Sequence, residues 1–311
     1  MGSGLVRPEC VLATSSGSLY TADWRSGVAH TKASGESAFY GAHPIDGEII
    51  KPNGIALCGD GSFLLAHLGD TCGGVFRLQR NGETQPVFTT VDGSDLPPTN
   101  FPLLDSKGRL YVTVSTRLQP RALGYRKTCN DGFIVLQDQL GARIVADGLG
   151  YTNEIAFDAK EEWLYVNETF GRRLSRFPVA ADGSLGAKQV VTEFGAGVFP
   201  DGMALDVEGN VWVVSIVSNQ LLCVPPDGEH WSVLSDCDPE HLRWVESAYQ
   251  NNEMGRPHLD GVKSNRLRNT SSIAFGGGDM RTAFLGCLLG DSIASIAMAT
   301  AGLQPLHWNY Q

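Results

Sequence analysis

The chain has 311 residues and a formal charge of −10, from 34 acidic against 24 basic residues. An acidic chain without a Lys/Arg cluster argues against nucleic acid and anionic membrane as partners, and no apolar run reaches the roughly 18 residues a spanning helix needs. Seven cysteines without CxxC pairs, behind an N-terminus lacking signal-peptide regions, predict reduced thiols and a cytoplasmic protein.

Along the chain one pattern recurs six times: a polar residue, a short apolar run, a turn usually preceded by Asp, and a second apolar run. It starts at Glu9-Cys-Val-Leu and continues into Leu19-Tyr-Thr-Ala-Asp. The second copy starts at Asn53-Gly-Ile-Ala-Leu, followed by Phe63-Leu-Leu-Ala-His. Here Gly74-Val-Phe-Arg-Leu and Gln85-Pro-Val-Phe flank the turn Arg80-Asn-Gly-Glu, a hairpin signal because Asn-Gly tolerates positive φ. The third copy opens at Asn100-Phe-Pro-Leu-Leu and the fourth at Asn153-Glu-Ile-Ala-Phe, with Ala181-Asp-Gly-Ser as its later turn. The fifth opens at Asp201-Gly-Met-Ala-Leu, with Pro226-Asp-Gly-Glu, and the sixth at Ser271-Ser-Ile-Ala-Phe.

The starts lie 44, 47, 53, 48 and 70 residues apart. A period in the forties with several short strands per unit predicts an all-β fold, a six-bladed β-propeller occupying 1–311 as a single domain. Its blades start near 7, 51, 97, 150, 198 and 268. Two stretches break the period. Thr116 to Asp131 carries Arg117, Arg121, Arg126 and Lys127. The second, about 236–268, is a short helical insertion between blades five and six. Asp238 is its N-cap, Pro239 its first residue, and Leu242, Val245 and Tyr249 follow at helical spacing. A loop, Met254 to Gly261, completes it. Insertions of this length in a compact repeat fold are more often functional covers than idle loops.

In a propeller the first strand of each blade lines the central channel, so the shared polar position forms one layer around the axis: Glu9, Asn53, Asn100, Asn153, Asp201 and Ser271. All six offer oxygen. Two acids in one narrow tunnel repel unless a cation or a raised pKa relieves them. Oxygen donors suit a hard divalent cation, calcium, magnesium or manganese; zinc prefers His and Cys, which the layer lacks.

At these residues the chain resembles the regucalcin/gluconolactonase/luciferin-regenerating-enzyme-like family of six-bladed propellers over nearly its whole length. The segments that carry the likeness are Arg7-Pro-Glu-Cys-Val-Leu, Asn100 with the downstream Asp105-Ser-Lys-Gly-Arg-Leu-Tyr-Val, Thr152-Asn-Glu-Ile-Ala-Phe, Phe199-Pro-Asp-Gly-Met-Ala-Leu, and Thr270-Ser-Ser-Ile-Ala-Phe. The resemblance implies metal ligands Glu9, Asn100, Asn153 and Asp201 around one divalent cation, calcium first, with magnesium, manganese or zinc as alternatives. It also implies Asp201 as the residue that activates water. Three positions depart from the sugar-lactonase pattern: Pro98 replaces an Arg, Phe101 an Asp, and Glu154 a Gly. The resemblance thus implies a retained metal centre and a replaced sugar-gripping shell.

The function these readings predict is a divalent-metal-dependent hydrolase of a lactone or related cyclic ester. The alternatives are a lyase, isomerase or condensing enzyme using the same pocket, or a metal-stabilised binding propeller. A small molecule is the expected partner. Glu154 is a second catalytic candidate, although strand alternation turns it away from the axis unless its strand begins there. Asn53, His67, Arg117, Arg121 and His258 are candidate substrate contacts. His67 ends a second strand, as a base at the mouth or simply a polar strand end. Arg117 and Arg121 would grip an acidic group or remain solvated loop charge. His258 and Asp260 would line a lid. Trp163 and Trp212 are read as packing between blades.

Overall fold

The computed structural model describes residues 1–310. Six antiparallel sheets surround one axis, each built from consecutive strands in the order innermost to outermost. The first strands are Val11–Ala13, Pro52–Leu57, Thr99–Leu104, Thr152–Phe157, Phe199–Leu205 and Thr270–Gly276. Each packs against the first strands of its two neighbours, closing the ring. This is a six-bladed β-propeller.

Position within a blade sets composition. The second strands, such as Phe63–His67, Leu110–Val114 and Val211–Ile216, are buried on both faces because neighbouring blades cover both. Such strands read as continuous apolar runs rather than alternating ones. The outermost strands, Ser37–Gly41, Thr84–Phe88, Gln189–Glu193 and Trp231–Ser235, are largely exposed and carry little pattern. Trp212 packs between blades: it meets Phe275 edge-on at 6.3 Å and donates its indole N–H to Asp206. Trp163 packs partly buried among blade-four and blade-five residues.

Blade six has three strands. The N-terminal segment lies along it: Leu5 N–H donates to Asp291 O, Ile293 N–H to Met1 O, and Cys287 N–H to Pro8 O. The C-terminal segment crosses the opposite face, with Leu303 N–H donating to Leu205 O and Trp308 buried in the core between blades.

The insertion between blades five and six begins with helix α1, Pro239–Gln250, capped by Asp238 accepting from His241 N–H at 2.7 Å. Its apolar face, Leu242, Val245 and Tyr249, packs against the propeller. The stretch read as a loop after it holds a second helix, α2, Arg256–Asp260. Pro257 fixes φ near the helical value there, and Gly255 N–H is satisfied by His258 Nδ1 at 3.0 Å, local devices too short to give a periodicity. The Thr116–Asp131 stretch contains a single 3-10 turn, Arg121–Gly124. Among the described residues no helix is long and apolar enough to cross a membrane.

Candidate metal centre and its roof

The ring residues sit where the first strands break their pairing. Register with the second strand shifts between Pro52 and Ile55, Thr99 and Phe101, Thr152 and Ile155, Pro200 and Met203, and Thr270 and Ser272. Each interval contains the shared polar residue. A bulge turns a side chain out of the alternating pattern and bends the strand, so five successive bulges aim one layer at the axis. Glu9 reaches the same layer from just before its strand. Ser271 Oγ donates to Glu9 O at 3.0 Å, and Asn53 Nδ2 donates to Asn100 O at 3.3 Å, tying neighbouring blades together. Crowding at this level requires Gly202: a Cβ there would lie 2.4 Å from both Ser271 O and Ser272 Cα.

The two asparagines matched to ligand positions are held by their nitrogens. Asn100 Nδ2 donates to Ser115 Oγ at 3.1 Å, and Asn153 Nδ2 to Thr169 Oγ1 at 3.0 Å. Both hydroxyls come from the end of the neighbouring second strand. Anchoring the nitrogen fixes which end of the amide faces inward. Asn100 Oδ1 and Asn53 Oδ1 are then buried without any hydrogen-bond partner. A buried acceptor left unpaired costs about 1–3 kcal/mol, so oriented orphan oxygens mark a place where something electropositive belongs. Asn167, which sequence reasoning missed, donates through Nδ2 to Asp201 O at 2.9 Å and holds the bulge that presents Asp201.

Both acids are buried, Glu9 at 7% and Asp201 at 3% exposure. Burial, then Glu9, pushes the Asp201 carboxyl well above its usual value, against the pull of Arg7, Arg121 and Asn153. Glu9 engages Arg7 Nε through Oε2 at 3.0 Å. Two carboxylates with inward amide oxygens form a donor set that suits a hard cation with six to eight oxygen ligands. The residues present therefore fit a calcium-like ion, with Glu9, Asn100, Asn153 and Asp201 as holders.

Glu154 lies one level deeper. The bulge at Asn153–Glu154 places both residues in the channel, where simple alternation would have separated them. Its Oε2 accepts from Met203 N–H at 3.0 Å, and burial together with Asp201 raises its carboxyl well above the ordinary range. It lines a cavity of about 290 Å³ with Cys10, Ile55, Phe101, Met203 and Ser272, running down the lower channel. Phe101 is therefore part of that lower wall, and Pro98 is buried.

The other face of the ring is roofed by the two insertions. Tyr125, Tyr151, Phe170, Phe199 and Tyr249 form a chain of aromatic contacts with centroids 4.8–5.8 Å apart. Arg172 pins α1 onto them: it pairs with Glu246 through two hydrogen bonds, and its guanidinium lies 3.7 Å from the Tyr249 ring centre. Tyr249 Oη donates to Phe170 O at 2.7 Å. Arg121 belongs to this roof, and its charge acts on both Glu9 and Asp201.

The remaining sequence candidates lie elsewhere. His67 is buried against Phe76, its Nδ1 accepting from Lys51 N–H at 3.0 Å. Arg117 pairs bidentately with Asp147 at 2.8 Å and is 39% exposed at its side chain. His258 stacks on Trp244 at 4.1 Å inside the insertion, and Asp260 pairs with Arg256 on the surface. Tyr125, Tyr151, Arg256, Ser115 and Thr169 were not singled out in the sequence. They stand on irregular loops, at strand ends or, for Arg256, in the five-residue α2, where no period marks them.

A family model described as the SMP-30/Gluconolactonase/LRE-like region matches residues 7–235. A 6-deoxy-6-sulfogluconolactonase of Pseudomonas putida is 26% identical over 216 residues, 68% of this chain and 62% of that protein. A lactonase drp35 of Staphylococcus saprophyticus is 25% identical over 182 residues, 55% of this chain and 52% of that one. The chain thus matches less than two thirds of either relative's length. Among solved structures, a calcium-binding regucalcin of Agrobacterium tumefaciens superposes with a TM-score of 0.69 at 16% identity, covering 100% of this chain and 95% of that one.

Proposed function

Because the chain belongs to the SMP-30/Gluconolactonase/LRE-like family, we propose that its ring holds one divalent cation, calcium first, and hydrolyses a lactone or related cyclic ester. The observation that carries the reading is the anchored Asn100, whose amide nitrogen is tied to Ser115 and whose buried oxygen has no partner. The lactonase names of the two relatives support the reaction class.

The bound cation would polarise the ester carbonyl and offset the negative charge that develops as water attacks. The chain's own residues do the rest. Asp201, buried beside Glu9 in the same layer, is the carboxylate placed to take the proton from the attacking water. Asn167 holds the Asp201 backbone so that the carboxylate keeps its place. Glu154 lies below the ring, where its Oε2 accepts from Met203 N–H and helps hold the strand that carries Asp201. The roof excludes bulk water, which strengthens every charge interaction beneath it.

The test is hydrolysis of a panel of lactones by metal-stripped protein, before and after calcium, magnesium, manganese or zinc is restored, with Asp201→Ala and Glu9→Gln alongside. Turnover restored by metal in the parent and reduced at least 10²-fold in both variants is expected. Turnover indifferent to chelation, or no turnover on any lactone with metal bound, would contradict the proposal.

A further inference from the structure

The roof carries a second set of orphaned polar atoms, opposite in character to those of the ring. Tyr125 and Tyr151 are 2% and 3% exposed, yet neither hydroxyl has a hydrogen-bond partner. Arg121 Nη1 is buried and equally unpaired. Among the described residues no carboxylate forms an ion pair with Arg121, in contrast to Arg7, Arg172 and Arg173. The two tyrosine rings meet edge-on at 5.5 Å, and Arg121, one turn before Tyr125, lies close enough for its charge to act on both hydroxyls. Gly124 makes room for it: a Cβ there would lie 3.0 Å from Tyr151 Cδ2.

Buried hydroxyls and guanidinium N–H groups left without partners are as costly as unpaired acceptors. The ring presents oxygens and calls for a cation. The roof presents donors and calls for an anion. The two sets adjoin: Tyr151 stands two residues before Asn153, and Gly124, three residues after Arg121, packs on Tyr151 and on Thr116, next to the Ser115 that holds Asn100. Burial works against the Arg121 charge, but Tyr151, Tyr125 and Glu9 outweigh it. The guanidinium therefore stays protonated. Burial pushes the Tyr125 hydroxyl up, but Arg121 and Arg256 outweigh it and draw it below its usual value.

We propose that Arg121, Tyr125 and Tyr151 form an anion subsite in the roof, and that the substrate is a lactone carrying a separate, permanently ionised group. This rests on the lactonase reading for the reacting end of the molecule. Carboxylate, sulfonate and phosphate share the required chemistry, namely several oxygens on one negative centre that can accept from a guanidinium and two hydroxyls at once.

The experiment compares calcium-loaded protein on a neutral lactone and on the same ring bearing a carboxylate, a sulfonate or a phosphate. It is paired with melting curves in the presence of the corresponding ring-opened acids, which cannot react. One charged lactone is expected to exceed the neutral one by about 10²-fold in kcat/KM, with the difference mainly in KM. Arg121→Met should collapse that ratio to near one. Tyr125→Phe and Tyr151→Phe, which keep the packing rings, should each lower it about 5–10-fold and carry the test should Arg121→Met fail to fold. The preferred charged acid should raise the melting temperature of the parent and not of Arg121→Met. Equal turnover of charged and neutral lactones, or equal losses on both in every variant, overturns the subsite while leaving the lactonase intact. Stabilisation by a charged acid that depends on Arg121, without turnover of any lactone, keeps the subsite and removes the lactonase.

Discussion

Ser115 and Thr169 illustrate how single residues set the chemistry. Neither touches the proposed ion; each holds an asparagine nitrogen so that the oxygen points inward. Groups that orient a ligand in this way typically contribute 10–100-fold to metal affinity. Ser115→Ala should therefore weaken calcium binding about 10-fold, measured by calorimetric titration, while the far-ultraviolet circular dichroism stays that of the parent. An affinity equal to the parent's would mean that Asn100 needs no tether. Gly124→Ala acts on the roof instead. Its new methyl meets the Tyr151 ring and Thr116 at 3.0–3.2 Å. Displacing the ring should cost about 1–3 kcal/mol of stability, read from chemical denaturation. A cost within 0.5 kcal/mol would show that the roof gives way without strain. Sequence reasoning named Arg121 but not its companions. Tyr125 and Tyr151 lie 26 positions apart on irregular chain, and only the fold brings them together.

Elements explain what could be read in advance and what could not. The first two strands of each blade were legible because burial on both faces forces long apolar runs. The outer strands face water and lose that pattern, as Gln189–Glu193 shows. The bulges were not legible: nothing in Asn153-Glu154 announces that pairing skips from Thr152 to Ile155, and that skip places Glu154 in the channel against the alternation rule. Helix α1 was legible through its Asp238 cap, whereas five-residue α2 was not. The hold of α1 on the propeller combines its packed apolar face with one ion pair. Burial pushes the Glu246 carboxyl up, but Arg172, Gln250 and the Gly197 amide outweigh it and hold it at about 2, against 4.5 when free. A depressed folded value contributes stability that is complete above the unfolded value and is lost as pH falls from about 4.5 towards 2. At full strength that depression would contribute about 3 kcal/mol at neutral pH, and solvent screening of the partly exposed pair lowers this to about 2 kcal/mol. Glu246→Gln should lower the neutral-pH stability and flatten the acid limb of a pH-dependent melting profile. An acid limb of unchanged slope would show that the pair does not clamp the helix.

At the scale of the whole molecule, ring and roof divide the axis into zones of opposite demand. Oxygens that suit a cation lie below donors that suit an anion, and the apolar lower channel with Glu154 lies beneath both. Five bulged strands and the residue before the sixth converge on one level, so the ion would connect blades that otherwise touch mainly through side-chain packing. A ligand that binds only the folded state adds about 2.7 kcal/mol at one hundred times its dissociation constant. Calcium should therefore raise the melting temperature of the whole propeller in one cooperative transition, and a chelator should reverse the gain. A gain confined to a minor early transition would place the ion in the insertions rather than at the axis.

The most direct measurement is a calorimetric titration of calcium into metal-stripped protein, repeated with Glu9→Gln and Asp201→Asn. One ion per chain in the parent, with affinity reduced at least 10²-fold in each variant, is the result predicted here. Absence of binding in the parent, or binding that survives both substitutions, would contradict a cation held by the ring.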